Sequence, residues 1–372
     1  MLKFNAICLL IYALLVNSVY GTEKPYTDEE GTIHAPAFKL PESSYLSDET
    51  RAAFKRNRDI YEKENHYQAC LPLKGAEKSD IPDIRQCIAN NYYKTSFYKN
   101  VRKQFDVTMT PEVIGGVYTE VFKPTKGIAP KNQNRILINL HAGALMDGSR
   151  TWSHVESIPT AAIGKIKVIS VDYRMGAEYT FPAASQDVAA VYREILKDYK
   201  PENIGLFGNS GGGKLVAQSI AWFQKEELPL PGAVGLFYTG ATTADDAERY
   251  KWQKSGGGYV TEALFGVSWD NLFGPPHTYY KDVKRGSMLD SPGSYDEIMA
   301  KFPPTLLING GIRDFSLSSV IFTHAQLIRL GVEADLHLWE GMYHMFHINP
   351  EFPEAHEANN VIVNFFDSHL GK

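Results

Sequence analysis

A serine framed by glycines, Gly208-Asn209-Ser210-Gly211-Gly212, has the G-x-S-x-G spacing that presents a nucleophilic hydroxyl on a tight turn. The same run continues to Lys214, so Gly208 to Lys214 also spells G-x-x-x-x-G-K, most of a phosphate-cradling loop. A phosphate loop needs Ser or Thr after its lysine to reach magnesium, and here the next residue is Leu215. The nucleotide reading therefore fails, and acyl chemistry at Ser210 is the better expectation.

A nucleophilic serine needs a base, and the base needs a carboxylate to orient it. When the serine stands on a strand–turn–helix elbow, the chain order is Ser, then Asp or Glu, then His, each after a later strand. TLLINGGIRDFSL puts Asp314 just beyond an apolar run, and ADLHLWEGMYHMF puts His344 beyond the next one. His347 is the nearer rival for the base, His337 falls inside the last run, and Asp335 falls at its wrong end. RILINLHAGALMDGS adds His141, Ala142, Gly143 and Ala144 after an earlier apolar run. Small residues there let backbone N–H groups approach a developing oxyanion, worth about 3 kcal/mol per donor.

These residues can meet only if the apolar runs are neighbouring strands. RILINL, KIKVISV, NIGLFGN, AVGLFYTG, TLLINGG and ADLHLW alternate with amphipathic stretches such as AASQDVAAVYREILKDY and GKLVAQSIAWFQ. That rhythm predicts an α/β fold with a mostly parallel sheet flanked by helices on both faces. VIGGVYTEVFKP, short, β-branched and bounded by turn residues, reads as further strands. Residues 44–105 read as helices, with Ser47 as an N-cap, and residues 22–43 as a polar, proline-broken leader. Residues 241–302 interrupt the alternation with aromatics, prolines and Gly256-Gly257-Gly258, and with 44–105 they are expected to cap the strand ends. The main α/β domain is then 106–372, preceded by 22–105 and by a signal peptide over 1–21.

The signal rests on Lys3 followed by an apolar run from Ile7 to Val16, too short for a span of about 20 residues. It implies secretion or a periplasmic location, with a retained signal anchor as the competing reading. Once it is cleaved, Cys8 leaves with it, and Cys70 and Cys87 remain as candidates for a disulfide worth about 3 kcal/mol. A formal net charge of −5 without a basic block argues against nucleic acid as a partner. No His/Cys cluster calls for a metal, and the chemistry outlined needs no cofactor. No later run is long enough to hold the chain in a bilayer, and self-association stays open.

With LHAGALMDGS, VDYRMGAEYTFPAASQDVAAVY, FGNSGGGKL, NGGIRDFSLS and WEGMYHMF in that order, the sequence resembles the hormone-sensitive lipase family of α/β-hydrolases. That group includes many bacterial esterases and arylacetamide deacetylase, and the likeness runs from about residue 106 to the C-terminus. The resemblance implies Ser210 as nucleophile, Asp314 as acid and His344 as base. It implies the N–H groups of Gly143, Ala144 and Gly211 as oxyanion donors, His141 as a brace for their loop, and a structural role for Asp187. It further implies a small-molecule ester substrate of small to medium acyl chain. Two departures stand out: His-Ala-Gly-Ala replaces His-Gly-Gly-Gly, and Gly-Asn-Ser-Gly-Gly replaces Gly-Asp-Ser-Ala-Gly. A non-catalytic binding protein on a hydrolase scaffold, as in the plant gibberellin receptor, is the alternative from another class, disfavoured because Ser210, Asp314 and His344 are all present.

Overall fold

The computed structural model describes residues 24–371 apart from 32, 38, 65–69, 71–76, 78, 243–277, 282 and 284–285. The signal segment and the central part of the 241–302 insertion lie outside the described residues. The chain divides into two units, Met1–Ser44 and Tyr45–Lys372. In the first, the leader holds a short hairpin in which Tyr26–Thr27 pairs antiparallel with Ile33–His34.

The second unit is built on eight strands: β1 (Val107–Ile114), β2 (Val117–Pro124), β3 (Ile136–Leu140), β4 (Lys167–Val171), β5 (Ile204–Asn209), β6 (Ala233–Phe237), β7 (Thr305–Gly310) and β8 (Ala334–Trp339). Their order across the sheet is β8-β7-β6-β5-β3-β4-β2-β1. From β4 to β8 every neighbouring pair is parallel, while β2 runs antiparallel to both β1 and β4. The expected α/β-hydrolase architecture is thus present, a mostly parallel sheet with an antiparallel edge.

Side chains alternate along each buried strand and feed two cores. Ile136, Ile138 and Leu140 of β3 face one of them, with Leu206, Leu236 and Leu307, against α5 (Ala183–Ile195), α6 (Gly211–Lys225), the short α7 (Asp296–Met299) and α8 (Leu317–Arg329). Leu137, Phe207, Phe237 and Ile308 face the other, against α4 (Trp152–Gly164) and α9 (Pro353–His369). Burial on both faces explains why these strands read as nearly unbroken apolar runs. Asn139 and Asn209 are also fully buried.

The N-terminal helices are α1 (Asp48–Lys63), α2 (Ile81–Tyr92) and α3 (Ser96–Gln104). Ser47 caps α1 as expected, its Oγ accepting the Thr50 N–H at 3.1 Å. Glu354 at the start of α9 accepts from the Ser47 N–H at 2.6 Å and from the Thr50 hydroxyl, tying α1 to α9. Leu46, Ala53, Tyr92 and Val101 join the core on the α4–α9 side. These helices therefore pack against a face of the domain, with α2 reaching its rim. The Cys70 and Cys87 sulfurs lie 2.10 Å apart with Cα atoms 6.0 Å apart. No described helix is long and apolar enough to cross a membrane.

Candidate active site

Strand register brings the chemistry-bearing residues to one edge. Leu140 pairs with both Val171 and Gly208, Asn209 with Phe237, Phe237 with Ile308, and Gly310 with Trp339. The residues just beyond these ends are His141, Ser210, Tyr238, the Gly311–Asp314 loop and the loop that carries His344. Parallel strands share one carboxyl edge, and ligand sites in such sheets form there.

Ser210 stands between β5 and α6 with φ 52° and ψ −119°. That strained conformation at a non-glycine residue turns the chain sharply and projects the side chain off the sheet. Its N–H donates to the Phe237 carbonyl at 2.8 Å, which pins the turn to β6. The turn closes only because its neighbours lack side chains. A Cβ on Gly212 would collide with the Leu140 carbonyl oxygen. On Gly211 it would come within 2.8 Å of the Ala144 nitrogen. The loop after β3 and the start of α6 are therefore in direct contact, and the three expected oxyanion donors share one locality.

That loop is held from several sides. Gly143 (φ 111°), Ala144 (φ 54°) and Leu145 (φ 62°) are all left-handed. Alanine at 144 thus adopts a conformation that glycine takes without cost, so the departure from His-Gly-Gly-Gly is absorbed as strain. The Gly143 carbonyl accepts from Met146 at 2.9 Å and Asp147 at 3.0 Å, closing the loop on itself. Among the described residues no hydrogen bond uses the N–H of Gly143 or Ala144. The Gly211 N–H is one of those at a helix start with no partner inside the helix. His141 is fully buried, and its Nδ1 is 2.8 Å from the Ala142 carbonyl. Its ring stacks on Tyr173 at 4.2 Å, and the Tyr173 hydroxyl donates to the His141 carbonyl at 2.7 Å. Burial lowers the imidazole's pKa, which keeps it neutral. This is the environment of a brace.

Asp314 and His344 meet. Nδ1 of His344 is 3.1 Å from both carboxyl oxygens of Asp314. Asp314 is fully buried, and its Oδ1 also accepts from the Ser316 N–H at 2.9 Å and hydroxyl at 2.7 Å. The His344 ring lies between Phe315, 4.3 Å away, and Tyr238, 5.4 Å away. Facing a carboxylate, Nδ1 carries the proton, which leaves Nε2 as the basic nitrogen. Nε2 is buried and has no hydrogen-bond partner among the described residues, so Ser210 Oγ does not donate to it in this structure.

The rival histidine is of a different kind. His347 is buried, stacks on Tyr238 at 5.2 Å, and burial lowers its pKa to about 3. His337 is partly exposed on the edge strand beside Trp339, and Asp335 pairs with Leu306 near the opposite end of β7. Asp187 accepts the Arg174 N–H at 2.8 Å and its guanidinium, a structural role.

Three contributors escaped sequence reasoning. Tyr173 and Glu156 support the loop that carries the expected oxyanion donors, and Arg85 reaches it from α2. The Arg85 Nε donates to the Met146 carbonyl at 2.8 Å, its Nη1 pairs with Glu178 at 2.8 Å, and its Nη2 bonds the Gly176 carbonyl. Gly176 in turn donates to the Leu145 carbonyl at 2.9 Å. Nothing in the sequence marks Arg85. Glu156 left a trace, as a carboxylate inside the apolar helix WSHVESIPTAAIG. Arg85→Ala is expected to release the loop and lower kcat by about 10- to 100-fold with KM little changed. Unchanged kcat in the purified, folded variant would show that the clamp is dispensable.

Residues 137–348 match the profile of a family described as having the alpha/beta hydrolase fold, and the chain belongs to that family. It is 27% identical over 266 residues to a protein named esterase from Acinetobacter venetianus, covering 70% of this chain and 82% of the relative. It is 26% identical to a Streptomyces hygroscopicus protein named acetyl-hydrolase, covering 69% and 84%. The crystal structure of an esterase superposes with a TM-score of 0.70 at 26% identity, covering 91% of this chain and 98% of that one. An esterase of the bacterial hormone-sensitive lipase family shares the fold with a TM-score of 0.67 at 22% identity, covering 89% and 100%. The family resemblance read from the five motifs is borne out.

Proposed function

We propose that the protein hydrolyses carboxylic esters of small to medium acyl chain through Ser210, His344 and Asp314 and an acyl-enzyme intermediate. Ester hydrolysis itself is supported by the family and by relatives named esterase and acetyl-hydrolase. The observation that carries the triad is the Asp314–His344 pair, whose free Nε2 belongs to the same sheet edge as the Ser210 elbow. Nε2 removes the Ser210 proton as the oxygen attacks the ester carbonyl. Asp314 stabilises the imidazolium that forms, and the N–H groups of Gly143, Ala144 and Gly211 hold the oxyanion. The imidazolium then protonates the leaving alcohol, and water repeats the sequence on the acyl-enzyme. Such serine–histidine bonds are commonly long or misaligned before substrate binds and tighten in the complex, so the missing Ser210–His344 bond leaves His344 in place as the base.

The acyl preference rests on the resemblance and on the acetyl-hydrolase relative. Export rests on the apolar N-terminal segment and on sulfurs at bonding distance in Cys70 and Cys87, which suit an oxidising compartment. A panel of p-nitrophenyl esters tests the substrate reading. Acetyl and butyryl esters should turn over readily and palmitoyl esters poorly. Preference for the palmitoyl ester would overturn the acyl assignment, and binding without turnover would favour the non-catalytic alternative.

A further inference from the structure

Glu156 takes no part in the cycle above, yet it stands where the two halves of the site join. It projects from α4, is 1% exposed, and has no charged partner among the described residues. One carboxyl oxygen accepts the Ala142 N–H at 3.0 Å, and the other accepts the Asn139 side-chain N–H at 3.1 Å. Ala142 immediately precedes Gly143, so this bond fixes the peptide from which the oxyanion loop departs. Asn209, the residue before Ser210, lies alongside the same carboxyl. The Asn209 amide oxygen and nitrogen are both buried and make no hydrogen bond of normal geometry among the described residues. At the position where the resembling family carries Asp beside its nucleophile, this chain carries Asn209. Here the carboxyl at the junction comes from a helix instead.

We propose that Glu156 is a positioning residue of the oxyanion site, acting in its neutral form through the Ala142 N–H and the Asn209 side chain. This deepens the esterase reading and rests on it. A neutral carboxyl accepts from Ala142 and Asn139 while its own O–H is free to donate to Asn209 Oδ1, so that one group spans loop and elbow. A carboxylate has no proton to donate. It also places a full negative charge one peptide from the Gly143 N–H, in the buried interior, where the transition state develops negative charge.

Burial favours the neutral form, raising the Glu156 pKa to about 8 against the opposing pull of the donors Ala142 and Asn139 and of the neighbouring Asn209 amide. Other ionisable groups on the surrounding elements leave it so. Tyr173, in the loop after β4, is kept protonated first by its own burial and then by Glu156. His141 and His347 are held neutral by burial. His154, on α4 itself, bonds Glu120 of β2 and Tyr98 of α3, and Glu354 of α9 bonds Ser47 and Thr50. Glu156 is therefore neutral below about pH 8, and kcat falls as it ionises above that.

The test is kcat for p-nitrophenyl butyrate from about pH 6.5 to about 9.5 on wild type, Glu156→Gln and Glu156→Ala, with Ser210→Ala as a control. Wild-type kcat should fall about tenfold through a midpoint near 8 with KM nearly constant. Glu156→Gln, which keeps an acceptor for Ala142 and a donor for Asn209, should stay flat across the range. Glu156→Ala should be about tenfold slower at every pH. A flat wild-type profile, or an alkaline fall that survives in Glu156→Gln, overturns the proposal. If Glu156→Gln does not fold, infrared titration of wild type decides. A protonated-carboxyl band that vanishes with the kcat midpoint supports the proposal, and separate midpoints overturn it. Ser210→Ala tells the two readings apart: its full activity would remove the esterase mechanism, whereas its inactivity beside a Glu156-independent profile removes only the present inference.

Discussion

Ser210→Ala is expected to lower kcat for a short-acyl ester by at least about 10⁴-fold while leaving the fold and ester binding in place. The elbow owes its shape to Gly211, Gly212 and the Ser210 N–H bond to Phe237, none of which needs the hydroxyl. What disappears is the hydroxyl proposed to form the acyl-enzyme. The residual rate comes from water attacking an ester polarised by the loop donors, so the loss is large but finite. Steady-state kinetics on matched, folded preparations read it directly. Equal rates in variant and wild type would remove Ser210 from the chemistry and reduce the glycine run to a tight turn around an idle hydroxyl.

Asp314→Asn should cost nearly as much, about 10³- to 10⁴-fold in kcat, and for a different reason. Asp314 Oδ1 accepts from both the Ser316 N–H and hydroxyl, so an amide would keep its oxygen there and turn its N–H₂ toward His344 Nδ1. The imidazole would then have to accept at Nδ1 and carry its proton on Nε2, the nitrogen that must be basic. Size and fold are conserved while the base is switched off. Proton NMR of the imidazole N–H, together with kcat, would detect the exchanged tautomer. A variant with wild-type kcat would show that His344 finds its tautomer without Asp314.

The parts of the site that depend on strand order were legible in the sequence, because parallel strands buried on both faces leave unbroken apolar runs whose ends can be marked. His141, Ser210 and Asp314 each follow such a run, His344 follows the half-exposed edge strand β8, and the register places those run-ends on one edge. Asp335 and His337 could be set aside on similar grounds, by position along β8, whereas His347 stayed a rival in sequence and is separated from His344 only by its burial against Tyr238. Contacts that depend on where a helix docks left little trace. Arg85 sits in a helix whose apolar positions, Ile81, Ile84 and Ile88, tell only that it packs somewhere. That its guanidinium reaches Met146, in sequence 61 residues away, is a tertiary fact. Glu156 falls between these cases. A carboxylate in an apolar stretch signals a buried polar role, but its partner Ala142 is a backbone group and has no side-chain signature. The leader shows the same limit on a small scale, since its polar, proline-broken composition conceals the pairing of Tyr26–Thr27 with Ile33–His34.

The most direct measurement is covalent trapping of the nucleophile. The folded protein is treated with a fluorophosphonate, digested, and the adduct located by peptide mass. An activated serine should carry a single phosphonate on Ser210, prevented by prior incubation with substrate and lost in His344→Ala. A folded protein that takes up no phosphonate, or takes it up on another residue, would contradict the assignment of Ser210 as the reacting group.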